Sequence, residues 1–315
     1  MRAQCRPNSV LSRKEVIMSH PHLPPALDAE RHSIDGHAGR VSFYVAGEGP
    51  PMLLVHSINA AGSAYEIRPI FEHCASRYRV YAPDLPGFGF SDRSARRYDV
   101  DLYVASVRDM LEAITSDSGP GPVDALALSL SSEFLARVAG QSPAAFRSLV
   151  LVTPTGFRAG SDGLRAPAGE TREIPLLHNV LTVPLWRKPI YRALVRPASI
   201  RYFLKRTWGS DEIDEGLAAY DDLTTHQPGA EHAPYAFLSG RLFSKDIRNV
   251  YEQLDLPVWL PHGTRGDFKD FSEADWACAR ENWHVQAFDT GALPHFEAGK
   301  EFLASYDAIL ADSRL

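Results

Sequence analysis

The stretch GPVDALALSLSSEFLARVAG, residues 121–140, changes pattern at a single serine, Ser129. Before it, the apolar run VDALALS (123–129) is short and continuous, which is typical of a strand buried on both faces of a parallel sheet. After it, SSEFLARVAG is predicted to form a helix that ends at Gly140 as a C-cap. We therefore expect a strand, a sharp turn at Ser129 and a helix.

The same alternation extends in both directions along the chain. Because strands and helices alternate at this spacing, the pattern predicts an α/β fold with a mostly parallel, doubly wound sheet. Further strands are predicted in 40–47, 51–57, the start of 78–92, 148–154, 256–263 and 284–288, with helices in 100–114 and 302–310.

Residues 157–235 interrupt this rhythm with a segment rich in arginine, proline and aromatic residues. We interpret it as a helical cap inserted over the carboxyl ends of the strands, where sites in such sheets lie. The core is then formed by 31–156 and 236–315. Residues 1–30 are predicted to be a mobile N-terminal extension without the apolar region of a secretion signal. Met18 could replace Met1 as the true start.

Composition excludes several classes of function. The 315 residues carry a formal charge of −6, with 44% apolar residues and no basic stripe, so a nucleic-acid partner is not expected. No apolar run is long enough to cross a bilayer. Three scattered cysteines (Cys5, Cys74 and Cys278) form no metal or disulfide motif, which favours a reducing cytoplasm. We expect no metal and no organic cofactor.

Five separated motifs come in a specific order: LLVHS near residue 55, APDLPGFGFSD at 82–92, the turn at Ser129, PVWLPHGTRGD at 257–267 and GALPHFE at 291–297. In this order and spacing, the chain resembles a capped member of the α/β-hydrolase superfamily. It is most similar to the broad esterase, meta-cleavage-product hydrolase and haloperoxidase-like group. Because this fold hosts many chemistries, the activity has to be argued from the site.

The resemblance makes Ser129 the nucleophile, held in a strained turn between strand and helix. Small residues are needed on both sides of such a turn. Ala127 and Ser131 stand where the superfamily usually has glycine, so the steric requirement is expected to be met. Ser131 and Ser132 are expected to cap the first helical turn with their hydroxyls.

The resemblance also locates the oxyanion hole. Its two donors would be the backbone N–H groups of Leu130 and Ile58, which do not depend on side-chain identity. Ser57 stands where glycine is usual. Asn59 either contacts the substrate or stabilises the turn, and the sequence favours neither alternative.

The acid implied by the resemblance is Asp267, whereas the slot of the usual histidine base holds Ala292. Three alternatives stay open. His295 could reach the site from three residues further on; His226 or His232 could supply the base from the cap; or the base is missing.

Two classes of function follow. The first is a hydrolase that acts through Ser129 on a small apolar ester, or on a C–C bond next to a carbonyl, with an atypical or incomplete triad. The alternative is a non-hydrolytic member of the same fold that binds a ligand or runs lyase or cofactor-free chemistry. The expected partner is a small apolar or aromatic molecule. The arginines of 177–208 are interpreted as solvated, so no membrane partner is expected; the oligomeric state stays open.

Overall fold

The computed structural model describes residues 22–160 and 166–311. Eight strands form one sheet in the order β1-β2-β4-β3-β5-β6-β7-β8. All neighbouring strands pair in parallel except β1 with β2 and β2 with β4. The predicted α/β fold with a mostly parallel sheet is therefore confirmed. The strands are β1 (Glu30–Gly36), β2 (Gly39–Ala46), β3 (Pro51–Val55), β4 (Arg79–Pro83), β5 (Val123–Leu128), β6 (Phe146–Val152), β7 (Val258–Gly263) and β8 (Trp283–Phe288).

Helices cover both faces of this sheet, and six of them (α4 to α9) lie between β6 and β7; we call the first five (α4 to α8) the helical insertion. No helix in the described ranges is long and apolar enough to cross a membrane. The helices are α1 (Arg68–Cys74), α2 (Val100–Ser118), α3 (Ser131–Gln141), α4 (Pro175–Leu181), α5 (Arg187–Leu194), α6 (Pro197–Trp208), α7 (Glu215–Thr225), α8 (His232–Leu238), α9 (Ile247–Glu252), α10 (Asp275–Cys278), α11 (Pro294–Glu297) and α12 (Gly299–Ala311).

The central strands explain the continuous apolar runs. Side chains alternate between the two faces of a strand, so a strand covered on both faces has to be apolar throughout. In β3, Leu53 and Val55 join the core on one face, while Met52 and Leu54 join the core on the other face. The neighbouring strand β5 divides its residues in the same way.

The N-terminal segment differs from the mobile extension that we expected over 1–30. Residues 1–21 lie outside the described residues, but Leu23, Ala26 and Leu27 are buried. The Ala26 N–H donates to the Tyr44 hydroxyl over 2.9 Å, which fixes this segment on the sheet. Strand β1 then begins at Glu30, one residue inside the predicted extension.

Both ends of α3 also differ from expectation. Gly140 lies inside the helix, and its C-cap is Ser142. At the other end, Ser131 and Ser132 do not accept from the first-turn N–H groups; the Ser132 hydroxyl donates to the Ala127 carbonyl over 3.2 Å, and that of Ser131 also donates to a carbonyl. The two hydroxyls therefore bond the start of α3 to backbone carbonyls outside the helix instead of capping its first turn.

Candidate active site

Ser129 follows the last residue of β5 and has a φ of 51°, in the left-handed region. Among the described residues, Thr153 is the only other non-glycine residue with positive φ. Such a conformation costs about 1–3 kcal/mol and persists only where the surroundings enforce it. Here the Ser129 N–H donates to the Val152 carbonyl over 2.9 Å. The side chain is half-buried, and its Oγ has no hydrogen-bond partner within residues 22–160 and 166–311.

The expected oxyanion donors lie on adjacent strand ends. Val55 of β3 is the register partner of Ala127 in β5, so the loop after Val55 runs beside the turn at Ser129. The Ser131 hydroxyl joins the two by donating to the His56 carbonyl over 2.6 Å. The two expected oxyanion donors are the N–H groups of Ile58 and Leu130. In the described part of the chain, neither N–H donates to an acceptor.

A buried carboxylate holds the loop that carries Ile58. Glu66 accepts from the Ser57 N–H at 2.7 Å, from the Ser57 hydroxyl at 3.0 Å and from the Asn59 amide at 2.7 Å. Burial raises the pKa of Glu66, and these three donors oppose that shift. The Oδ1 of Asn59 also accepts from the Ala61 N–H at 2.6 Å. Both polar ends of Asn59 are thus engaged within the loop, which favours the turn-stabilising alternative over a contact with substrate.

His56 is fixed in one neutral tautomer. Its Nε2 accepts from the Leu85 N–H at 2.9 Å, so its Nδ1 carries the proton and donates to the Ser57 carbonyl at 2.6 Å. Burial lowers the pKa of His56 to about 4. The ring therefore supports the loop, and neither nitrogen is available to Ser129.

Ala292 lies in the loop between β8 and α11 and is buried. Its N–H donates to the Thr207 carbonyl at the end of α6 over 3.0 Å. Its own carbonyl accepts from the Thr153 hydroxyl over 2.9 Å. The position of the usual histidine base therefore carries only a methyl group, and its backbone N–H is hydrogen-bonded to the helical insertion.

His295 does not lie where the first alternative needs it. Its Nε2 donates to the Glu66 carbonyl over 2.7 Å, and its Nδ1 is buried without a partner. The ring packs against Phe296 and Phe302, and burial lowers its pKa to about 4. Neither ring nitrogen is therefore hydrogen-bonded to Ser129, and the first alternative finds no support in this geometry.

Asp267 lies just past β7, as expected, but it contacts no histidine. Its carboxylate is 43% exposed and pairs with the Arg206 guanidinium of α6 at 2.5 Å. The Asp267 N–H also donates to the Arg206 carbonyl over 3.0 Å. This carboxylate raises the pKa of Arg206. Asp267 therefore anchors the helical insertion in this geometry.

The two histidines of the insertion do not reach Ser129 either. His226 is exposed at the end of α7, where its Nδ1 donates to the Asp222 carbonyl over 2.6 Å. His232 begins α8 beside Glu231, and burial lowers its pKa. The described residues thus hold no histidine hydrogen-bonded to the Ser129 hydroxyl.

A shallow depression lies beside the loop after Ile58. Arg93, which sequence reasoning missed, lines it and joins core to insertion by donating to the Gly89 and Thr224 carbonyls. Burial lowers the pKa of Arg93. The lining consists of Ala60, Ala61, Gly62, Gly87, Phe88, Arg93, Tyr191, Thr224, Thr225 and Ala230.

Sequence reasoning also missed Glu66 and Arg206. Nothing in AYEIRP shows that the Glu66 side chain turns inward, and Arg206 lies in a run of arginines with no distinguishing pattern. The one available signal was Ser57, because a hydroxyl in place of the usual glycine has to find a buried partner.

Comparison with known proteins agrees with this architecture. A family model described as the alpha/beta hydrolase fold matches residues 50–192. A serine hydrolase involved in carbazole degradation superposes with a TM-score of 0.70 at 15% identity, over 90% of this chain and 98% of that chain. The strand order and these matches show the α/β-hydrolase fold.

Two relatives match over part of their length. An uncharacterized protein of Mycobacterium tuberculosis is 32% identical over 149 residues, which are 45% of this chain and 42% of that relative. The 2-hydroxy-6-oxo-2,4-heptadienoate hydrolase of Pseudomonas putida is 30% identical over 138 residues, 43% of this chain and 49% of that enzyme. The chain therefore spans less than half the length of these relatives.

Proposed function

We propose that the protein is a slow hydrolase of small apolar esters that acts through Ser129 without a histidine base. The observation that carries the proposal is the strained Ser129, whose φ of 51° is retained beside two N–H groups with no acceptor among the described residues. Strain of this kind is typical of functional sites, and free donors at the nucleophile suit a developing oxyanion. The named relative and the similar structure, both hydrolases, support the same class.

In this reaction the Ser129 oxygen attacks the ester carbonyl carbon, and its proton passes to water or hydroxide. The carbonyl oxygen becomes an oxyanion held by the N–H groups of Leu130 and Ile58. The C–O bond to the alcohol then breaks, the alcohol leaves with a proton from water, and a second water hydrolyses the acyl-serine. Binding and an oxyanion hole alone retain about 10³–10⁴-fold catalysis over water, so turnover is possible but slow.

The depression beside the loop after Ile58 supports a short acyl group. It is shallow and encloses no cavity, so it offers no room for a long acyl chain. Small and apolar side chains form much of its lining, and it begins two residues past Ile58. We therefore expect acetyl or propionyl esters with good leaving groups to react before long-chain esters.

The test is covalent labelling with a fluorophosphonate probe, which reacts with activated serines. Wild type should label slowly, Ser129→Ala should not label, and Ser76→Ala, which changes an exposed serine on the surface, should label like wild type. Labelling that survives in folded Ser129→Ala would refute the nucleophile.

A non-hydrolytic ligand-binding protein is the second candidate. The specific observation behind it is that α6 contacts the positions of both the usual acid and the usual base. The Arg206 guanidinium pairs with the Asp267 carboxylate, and the Thr207 carbonyl accepts from the Ala292 N–H. A folded wild type that never labels, yet binds short esters equally well with and without the Ser129 hydroxyl, would favour this candidate.

A further inference from the structure

Exposed apolar side chains are concentrated in one segment of the molecule. Of the eleven large hydrophobic residues that are exposed in the described ranges, nine lie between residues 174 and 203. Leu185 is 79% exposed and Leu176 is 74% exposed. Single exposed apolar residues are ordinary, but a cluster of this kind marks an interaction site. The nine are Ile174, Leu176, Leu177, Val180, Leu185, Trp186, Ile190, Tyr202 and Phe203.

The charge of the same segment is opposite to that of the chain. Residues 174–210 contain seven lysines and arginines and no aspartate or glutamate, in a chain of net charge −6. Four of the seven pair with carboxylates from outside the segment. The remaining three, Lys188, Arg192 and Arg196, are exposed, and no carboxylate of the described residues lies within ion-pair distance.

The packing of the three helices leaves this surface outward. Helix α4 has no buried residue at all. Helix α5 buries only Tyr191, and α6 buries Ile200, Leu204 and Trp208 while exposing Tyr202 and Phe203 on its other side. The outer sides of these helices therefore carry apolar side chains that the described part of the chain leaves uncovered. We call the nine apolar residues together with Lys188, Arg192 and Arg196 the basic apolar face.

The charge of this face argues against a second copy of the chain as the cover. A symmetric dimer places the same patch on both partners, so three unpaired cations would meet three others with no carboxylate between them. An anionic lipid surface instead offers both an apolar phase and negative headgroups. Amphipathic helices with tryptophan, leucine and phenylalanine beside basic residues bind membranes in this way.

We propose that the basic apolar face docks the protein on anionic membranes as a peripheral protein. The apolar side chains enter the boundary between headgroups and acyl chains, and the three free cations contact lipid phosphates. This agrees with the finding that no described helix can cross a membrane. From the sequence we expected no membrane partner; the exposure and pairing of these side chains lead to the opposite inference. It does not depend on the activity proposed for Ser129.

The experiment is flotation of the full chain with vesicles of phosphatidylcholine, with and without phosphatidylglycerol. Wild type should float with the anionic vesicles, weakly or not at all with the neutral ones, and less as salt is added. The double variant Arg192→Glu/Arg196→Glu should bind about thirtyfold more weakly or worse, since each basic residue near the surface contributes roughly fivefold. Leu185→Ser should weaken binding without changing charge. Lys300→Glu, an exposed lysine on α12, is the control and should bind within about twofold of wild type.

Circular dichroism melts establish that each variant is folded. Folded wild type that leaves anionic vesicles unbound at low salt would overturn the proposal, and this is the result if the face meets an acidic protein instead. Equal binding to neutral vesicles, or an equal loss in Lys300→Glu, would also overturn it. Light scattering that shows a dimer lost in Leu185→Ser, with no vesicle binding, would assign the face to self-association.

Discussion

Two groups of residues at the carboxyl ends of the strands are held in place in different ways. The serine end (Ile58, Ser129 and Leu130) rests on buried polar groups: Glu66 binds the loop before and after Ile58, and the Ser131 hydroxyl bonds that loop to the turn. The acid end (Asp267 and Ala292) rests on α6, which supplies an exposed guanidinium to one and a carbonyl to the other.

Under the function proposed above, this difference means that the two halves of a triad site have separated. Oxyanion donors belong to the backbone, so they survive as long as the loops keep their shape. A base is one side chain, and a single change to alanine removes it. The carboxylate then has no imidazolium to stabilise and is free to bind elsewhere. The serine end can thus keep its strain and donors after the acid end has become an anchor for the helical insertion.

The largest effect is expected from breaking the serine end at Glu66. Glu66→Ala leaves the Ser57 N–H and the Ser57 hydroxyl buried without this acceptor, each worth about 1–3 kcal/mol when unsatisfied, so the free energy of unfolding should fall by at least about 2 kcal/mol. Urea denaturation measures this. Glu72→Ala, which removes an exposed ion pair with Arg68, should change it by less than about 1 kcal/mol. Similar losses in the two variants would contradict the comparison.

The acid end can be tested by restoring a base. Ala292→His places an imidazole in the usual slot, and general-base catalysis contributes about 10²–10⁴-fold; with Asp267 bound to Arg206, we expect the lower limit, about a hundredfold faster fluorophosphonate labelling at neutral pH. Ala287→His adds the same group to an exposed position of β8 and should change nothing. Folded Ala292→His with the labelling rate of wild type would show that the serine end is not competent.

The pH dependence of stability separates His295 from a catalytic histidine. Its pKa is lowered by burial to about 4, from 6.5, so the unfolded chain binds its proton first as the pH falls. The stability that His295 contributes is present above pH 6.5 and is lost between 6.5 and 4. In His295→Leu the slope of unfolding free energy against pH in this window should be smaller by up to about 1.4 kcal/mol per pH unit.

The control for that slope is His284→Leu, which removes an exposed histidine from β8. It should keep the slope of wild type. Comparing variants is necessary because buried carboxyl groups titrate in the same pH range. Burial raises the pKa of Glu133 to about 7, and this shift changes the unfolding free energy with pH in the opposite direction. An unchanged slope in His295→Leu would mean that the folded protein protonates the ring as readily as the unfolded chain does, which would contradict the prediction.

The contrast between the two ends also explains what the sequence could predict. Strands β3 and β5 were predictable because burial on both faces demands continuous apolar residues, and the turn at Ser129 followed from the change to helical spacing. Strand β1 was missed because its seven residues are exposed or half-exposed at the edge of the sheet, so they carry no apolar pattern. The contacts of Asp267 could not be predicted, since Arg206 lies 61 residues away on a helix whose docking depends on the whole fold.

The smallest effect is expected from Asp267→Asn. In an intact triad, the comparable change lowers turnover by about 10⁴-fold, because the carboxylate fixes the tautomer of the base. Here the carboxylate is 43% exposed, and Arg206 is its only side-chain partner among the described residues, so labelling of Ser129 should stay within about twofold of wild type. Asp211→Asn removes the exposed partner of Lys205 in the same insertion and is the matched control. If Asp267→Asn alone slowed labelling by a hundredfold, Asp267 would have to reach a base in solution, and the separation of the two ends would be wrong.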